Sequence, residues 1–284
     1  MTADHPQLAR RLTFGGAVAI GLASMIGAGV FSVFAPATAA AGELMLVGLA
    51  IAAFVAFANA GSTAQLAARY PESGGAYRYG RERLGEWPGF LAGWGFVIGK
   101  TASCAAMAMT AAAYLVPAEW QRPVAITAVV VIVGVNLLGI TRTARAATII
   151  VIVVLAVLGL VIAAGIVAAA SPAETVLLVV GPDARPPETG SGTSTATFTA
   201  ERPPEASVWG VLQAAGLLFF AFAGYARVAT LGEEVVDPAR TIPRAVHTAL
   251  GLVFALYAVV AVTLLTALGA AALATSDAPL ADTV

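Results

Sequence analysis

Cysteine and lysine are almost missing from this chain. Its one cysteine, Cys104, lies in an apolar run, so neither an intrachain disulfide nor a cysteine-rich metal site can form. Of fifteen basic residues only Lys100 is a lysine, and the two histidines, His5 and His247, stand far apart. That spacing offers no metal-ligand set, and no metal or cofactor is expected. Charge of either sign is scarce as well. Charged residues make up 11% of the chain, against about 25% in soluble domains. A net charge of -1 with no basic, aromatic-interleaved patch argues against a nucleic-acid partner. No nucleophile elbow, phosphate loop or metal cluster appears, which sets an enzyme aside.

What the chain has instead is apolar length. Hydrophobic residues make up 59% of it and the mean hydropathy is +0.88. A helix needs about 20 apolar residues to cross a bilayer. Seven stretches qualify, at roughly 13–40, 44–68, 88–116, 123–140, 146–170, 208–231 and 245–272. The expected fold is an all-α integral membrane protein with seven transmembrane helices in a single domain over 1–284, and the lipid bilayer is its first partner. Residues 171–207, rich in Pro, Gly, Ser and Thr, read as a flexible aqueous loop.

Arginine placement orients the chain, because cytoplasmic loops collect basic residues. One side holds Arg10, Arg11, Arg69, Arg78, Arg81, Arg83, Arg142, Arg145, Arg240 and Arg244; the other holds Arg122, Arg185 and Arg202. Residues 1–12 are therefore expected in the cytoplasm of a multi-pass protein of the cell (plasma) membrane. The 171–207 loop and the 273–284 end fall outside. Arg10-Arg11 could also open a twin-arginine export signal, but the apolar run after it is about twice the usual core of 7 to 15 residues.

Gly27 and Gly29 sit in the middle of the first span, where each weakens a helix by about 1 kcal/mol relative to alanine. Non-helical backbone at membrane depth is tolerated only where it is buried in protein or lines a cavity. A comparable soft point, Phe219-Phe220-Ala221-Phe222-Ala223-Gly224-Tyr225, lies in the sixth span. Helices 1 and 6 are thus both expected to be broken. Gly-interrupted spans in matching positions point to a transporter built from inverted repeats. Spans one to five would form the first repeat and span six would begin the second. Half-helix ends offer N–H groups to an anion and carbonyls to a cation, and an amino acid carries both charges. Close helix packing is the competing explanation for the glycines.

The run Ile26-Gly27-Ala28-Gly29-Val30-Phe31, the stretch Tyr70-Pro71-Glu72-Ser73-Gly74-Gly75-Ala76-Tyr77, and Gly232-Glu233-Glu234-Val235 with Pro238, Ile242 and Pro243 together resemble the amino acid–polyamine–organocation permeases. The resemblance covers nearly the whole chain. It favours the cationic amino acid transporter-like and basic amino acid/polyamine antiporter branches. It implies a 5+5 inverted-repeat fold, usually followed by two more helices, with the substrate between helices 1 and 6. The substrate carboxylate would meet the amides of Ile26, Gly27, Ala28 and Gly29. Its ammonium would meet carbonyls near Phe220, Ala221 and Phe222, at the break that includes Gly224, with Phe220 as an aromatic gate. Glu233 and Glu234, near Asp237, Arg240 and Arg244, would belong to the inner gate.

Three departures stand out. After Ser276-Asp277-Ala278-Pro279-Leu280 no eighth span follows, so the second repeat would lack its last three helices and the fold would be incomplete. Relatives that couple to protons often carry a lysine in helix 5, and Thr148 to Val167 has none. Arg227 replaces an acidic or small residue. Lys100 lies about twelve residues, roughly 18 Å, into the third span, where an ionisable group is a functional candidate by default. It matches a position where relatives face the cavity with Glu or Asn, and a lysine there would repel cationic side chains. The expected function is a secondary active amino acid transporter, proton-coupled or exchanging, that works by alternating access. The alternatives are a seven-helix receptor or sensor, or a non-transporting permease fragment. A receptor would place its N-terminus outside, and a retinal protein needs a lysine that Leu250 to Ala272 lacks.

Overall fold

A computed structural model of the chain describes residues 12–70, 74–137, 140–170 and 207–284. Arg10, Arg11, Glu72 and all but the last residue of the 171–207 loop lie outside the described residues. The helices are α1 (Phe14–Met25), α2 (Ala28–Ser32), α3 (Phe34–Ala41), α4 (Met45–Arg69), α5 (Gly75–Leu84), α6 (Glu86–Leu115), α7 (Ala118–Leu137), α8 (Ile140–Ala170), α9 (Val208–Phe222), α10 (Ala226–Ala229) and α11 (Pro238–Thr275). Seven helical stretches among the described residues are long and apolar enough to cross a membrane.

The core is built by close approach. Between lipid-exposed helices no hydrophobic gain drives association, so small residues that let backbones approach carry the contacts. On α4 the residues Ala52, Ala56, Ala60, Ala64 and Ala67 form a fully buried stripe at near-helical spacing. That helix packs against α9 and α11, while α3 joins both and α1 lies along α11. A Cβ on Gly48 would stand 3.1 Å from the Ala214 Cβ on α9. Phe34, Phe222, Tyr257, Leu250 and Leu264 fill the centre with no exposed area. α6, α7 and α8 sit at the periphery and leave most of their apolar surface open, as lipid-facing helices do.

The structure departs from the sequence reading in four places. The stretch after Tyr70, which falls between the expected spans 44–68 and 88–116, turns into α5. Positive φ at Gly74 (131°) and Gly75 (51°) starts it, and an Arg78–Glu82 ion pair of 2.9 Å, one helical turn apart, supports it. α7 begins at Ala118 and carries Pro123 inside it. α11 begins at Pro238, because proline at the first helical position is already set to helical φ and gives up no bond. The sixth span is not opened at its soft point: α9 tightens into a 3₁₀ turn, Ala223–Tyr225, and continues as α10.

Leu12 is tied by backbone hydrogen bonds to the segment before α11. Its N–H donates to the Glu234 carbonyl at 2.9 Å, and the Val236 N–H donates to the Leu12 carbonyl at 3.0 Å. This clamp holds the start of the first span to the segment that follows the sixth.

Candidate functional site

The first span leaves helical geometry at Ile26 (ψ 88°) and Gly27 (φ -155°, ψ -146°), and α2 starts at Ala28. The two glycines here do different work. A Cβ on Gly27 would meet nothing within 4 Å, so this backbone borders open space. A Cβ on Gly29 would lie 2.6 Å from Ala221 Cα and 2.7 Å from Ala221 Cβ, so this backbone touches α9. The contact is matched on the other strand of the crossing, where a Cβ on Gly224 would run into the carbonyl of Ser24. The two spans therefore cross at their irregular points, each using a glycine where the other presents backbone.

Beside this crossing lies a cavity of about 390 Å³, within the range of about 300–1,000 Å³ usual for small-molecule sites. Ser24, Met25, Gly27 and Gly29 form one wall, and Phe219, Phe220, Ala221 and the 3₁₀ turn form another. α6 supplies the third through Phe96, Gly99, Lys100, Ser103 and Met107, a single helical face by their spacing. Asn59 of α4 closes the remaining side.

Of the residues singled out from the sequence, Gly27, Gly29, Lys100, Phe220, Ala221 and Gly224 line this one cavity. Lys100 directs its Nζ to 5.8 Å from the Phe96 ring centroid. Phe220 is 38% exposed, whereas Phe222 is wholly buried against Tyr257 with ring centroids 5.3 Å apart. Phe222 and Ile26, which is also buried, are absent from the lining, so their side chains serve packing. Glu234 stands away from this cavity. It lines a second one of about 500 Å³ with Arg227, Thr230, Thr63 and the Gly74–Tyr77 stretch. Arg227 donates to the Thr230 hydroxyl at 3.4 Å. Glu233 lines neither cavity. Nearby, Arg240 is 3.9 Å from Asp237, and the Arg244 guanidinium lies over the Phe14 ring.

The two cavities share Asn59, Phe96, Tyr225 and Ala226. Asn59 and Tyr225 both line that common wall. On the opposite side Tyr114 donates to the Phe31 carbonyl at 3.0 Å, and the two rings meet edge to face at 5.5 Å. Among the described residues, none lines both the central cavity and a pocket of about 320 Å³ beyond that contact. Sequence reasoning missed Asn59, Tyr225 and Tyr257. Each is a polar group inside an apolar span, and that was the available signal.

A membrane domain whose irregular spans cross beside a central cavity that carries a few polar groups is the architecture of a permease. The family profile described as amino acid permease matches residues 16–279, and the chain belongs to that family. It is 54% identical over 277 residues to proteins described as uncharacterized transporters in Mycobacterium tuberculosis and Mycobacterium bovis; the match covers 97% of this chain and 57% of theirs. It is also 30% identical over 279 residues to the mitochondrial cationic amino acid transporter 3 of Arabidopsis thaliana, covering 91% of this chain and 42% of that one. The chain thus spans little more than half the length of the mycobacterial relatives it matches.

Proposed function

We propose that this chain holds the substrate-binding half of a secondary active amino acid transporter that works by alternating access. It would lie in the plasma membrane with residues 1–12 in the cytoplasm and the 171–207 and 273–284 segments outside. The observation that carries this reading is the cavity of about 390 Å³, where Gly27, Gly29, Phe220, Ala221, Gly224 and Lys100 converge from spans far apart in sequence. A zwitterion fits such a place: backbone N–H groups around Gly27 and the Lys100 ammonium favour its carboxylate, and carbonyls around Ala221 favour its ammonium. Phe220 covers the substrate. Lys100 disfavours a cationic side chain, so the proposed substrates are neutral or acidic amino acids. Coupling is to protons or to a second amino acid, with Lys100 as the ionisable group at membrane depth.

The shared wall of Asn59, Phe96, Tyr225 and Ala226 makes the second cavity the natural inward route, with Arg227 and Glu234 along it. The Tyr114–Phe31 contact would close the outward side. The test is direct. The purified chain in lipid nanodiscs is titrated with a panel of labelled amino acids, and uptake into proteoliposomes is measured with and without an inward proton gradient. Saturable binding of neutral or acidic amino acids supports the reading. Preference for arginine, or silence across the panel from folded protein, would sink it.

A further inference from the structure

We infer that Tyr257 takes the place of a cation at the crossing of the first and sixth spans and holds the substrate cavity in register through its hydroxyl. The residue sits near the middle of α11, has no exposed area, and donates to the Met25 carbonyl at 2.6 Å and to the Ala221 carbonyl at 3.3 Å. Its ring is held edge-on by Phe34, at 6.4 Å and 89°, and packs on Phe222.

The Met25 carbonyl needs a partner, and Ala221 lies at a change of helix type. In an unbroken helix the Met25 carbonyl would accept from the Gly29 N–H. α1 ends at Met25, and Gly29 belongs to the next helix. Ala221 stands where the four-residue hydrogen-bond pattern gives way to the three-residue pattern, since the Ala223 N–H donates to the Phe220 carbonyl. A carbonyl left unpaired in a dry interior is costly. Transporters of this architecture commonly use such half-helix carbonyls to hold a coupling cation, and hard cations take oxygen ligands of this kind. Here one neutral O–H, from a third helix, reaches both oxygens. It draws the end of α1 and the end of α9 toward one point, and both flank the cavity through Met25 and Ala221. Tyr257 is thus a positioning residue: it touches the backbone that frames the site, and it leaves that point with no demand for sodium.

The test uses the whole chain in nanodiscs, with Tyr257→Phe and Tyr257→Ser beside the wild type. Melting in sodium, lithium or choline chloride reads the cation place without any substrate. Binding of a labelled amino acid reads the site, and this arm rests on the transporter reading above. The wild type should melt at the same temperature in all three salts. Tyr257→Phe keeps the ring and loses the hydrogen bonds; amino acid affinity should fall about tenfold, the worth of one such bond, while melting stays indifferent to salt. Tyr257→Ser clears the ring and should melt higher in sodium or lithium than in choline, a response that loss of packing alone does not produce. A wild type stabilised by sodium over choline, or a Tyr257→Ser chain blind to cations, overturns the proposal. If no chain binds an amino acid, the transporter reading fails and the melting result still decides the cation place.

Discussion

The crossing at Gly29 and Gly224 ranks three glycine substitutions by stability. A Cβ at position 29 would fall about 0.8 Å short of ordinary contact with Ala221 Cα, a backbone atom that no rotamer change can move. Overpacking of this kind costs about 1–3 kcal/mol. Alanine in place of glycine in a helix returns up to about 1 kcal/mol, so Gly29→Ala should lose about 1 kcal/mol net. Gly224→Ala is worse, because its Cβ would meet Ser24 carbonyl and Met25 backbone atoms together. Its loss should reach about 3 kcal/mol, the upper end of the range. Gly27→Ala meets nothing within 4 Å and should leave stability within about 0.5 kcal/mol of wild type. Equilibrium unfolding in mixed micelles, read by tryptophan fluorescence, gives the three values. Amino acid binding should fall for all three, through displaced walls in the first two and through a methyl in the cavity in the third. A Gly27→Ala chain less stable than Gly224→Ala would refute the crossing geometry.

Lys100→Asn should raise the affinity for arginine relative to leucine. Two like charges about 6 Å apart at an effective dielectric of about 20 repel by about 3 kcal/mol, so a shift of one to two orders of magnitude in relative Kd is expected. An unchanged ratio would remove Lys100 from substrate selection. Phe220→Ala should weaken binding up to about tenfold while Phe220→Trp retains it, since the ring is partly open to the cavity; equal loss in both would mean the ring does not cover the substrate.

Hydropathy made the spans legible, because 20 apolar residues in a row have few uses outside a bilayer. Their ends were harder to place. Charged turns such as Gly75–Leu84 look like loops to a hydropathy reading, yet an ion pair one helical turn apart folds them into α5. The irregularity at Gly27 was legible as a weak point in a helix, but the division of labour between Gly27 and Gly29 was not. Both are glycines two residues apart, and the atom that separates their roles belongs to Ala221, nearly two hundred residues away. The same distance hid Tyr257. A phenol in an apolar run must find a partner, but nothing local says that the partner is a carbonyl 232 positions earlier. Phe220 and Phe222 read alike in sequence, and only the rotation of α9 before its 3₁₀ turn sends one ring to the cavity and the other to Tyr257.

Packing and binding are not separable at this crossing, and that bears on how the cavity can change shape. The closest contacts are backbone to backbone, at Gly29 with Ala221 and at Gly224 with Ser24, and such contacts slide or tilt but do not compress. Tyr257 adds a fixed point on the far side of the same crossing. Motion of the first and sixth spans is therefore constrained to pass through this junction, and the parts free to move are the softer contacts on either side. Those are the Tyr114–Phe31 pair, joined by a single hydrogen bond, and the wall that Asn59 and Tyr225 share between the two cavities. That bond contributes about 1 kcal/mol net, small enough for a bound substrate to offset. A rigid crossing flanked by softer contacts is the mechanical arrangement that the proposed alternating access would require.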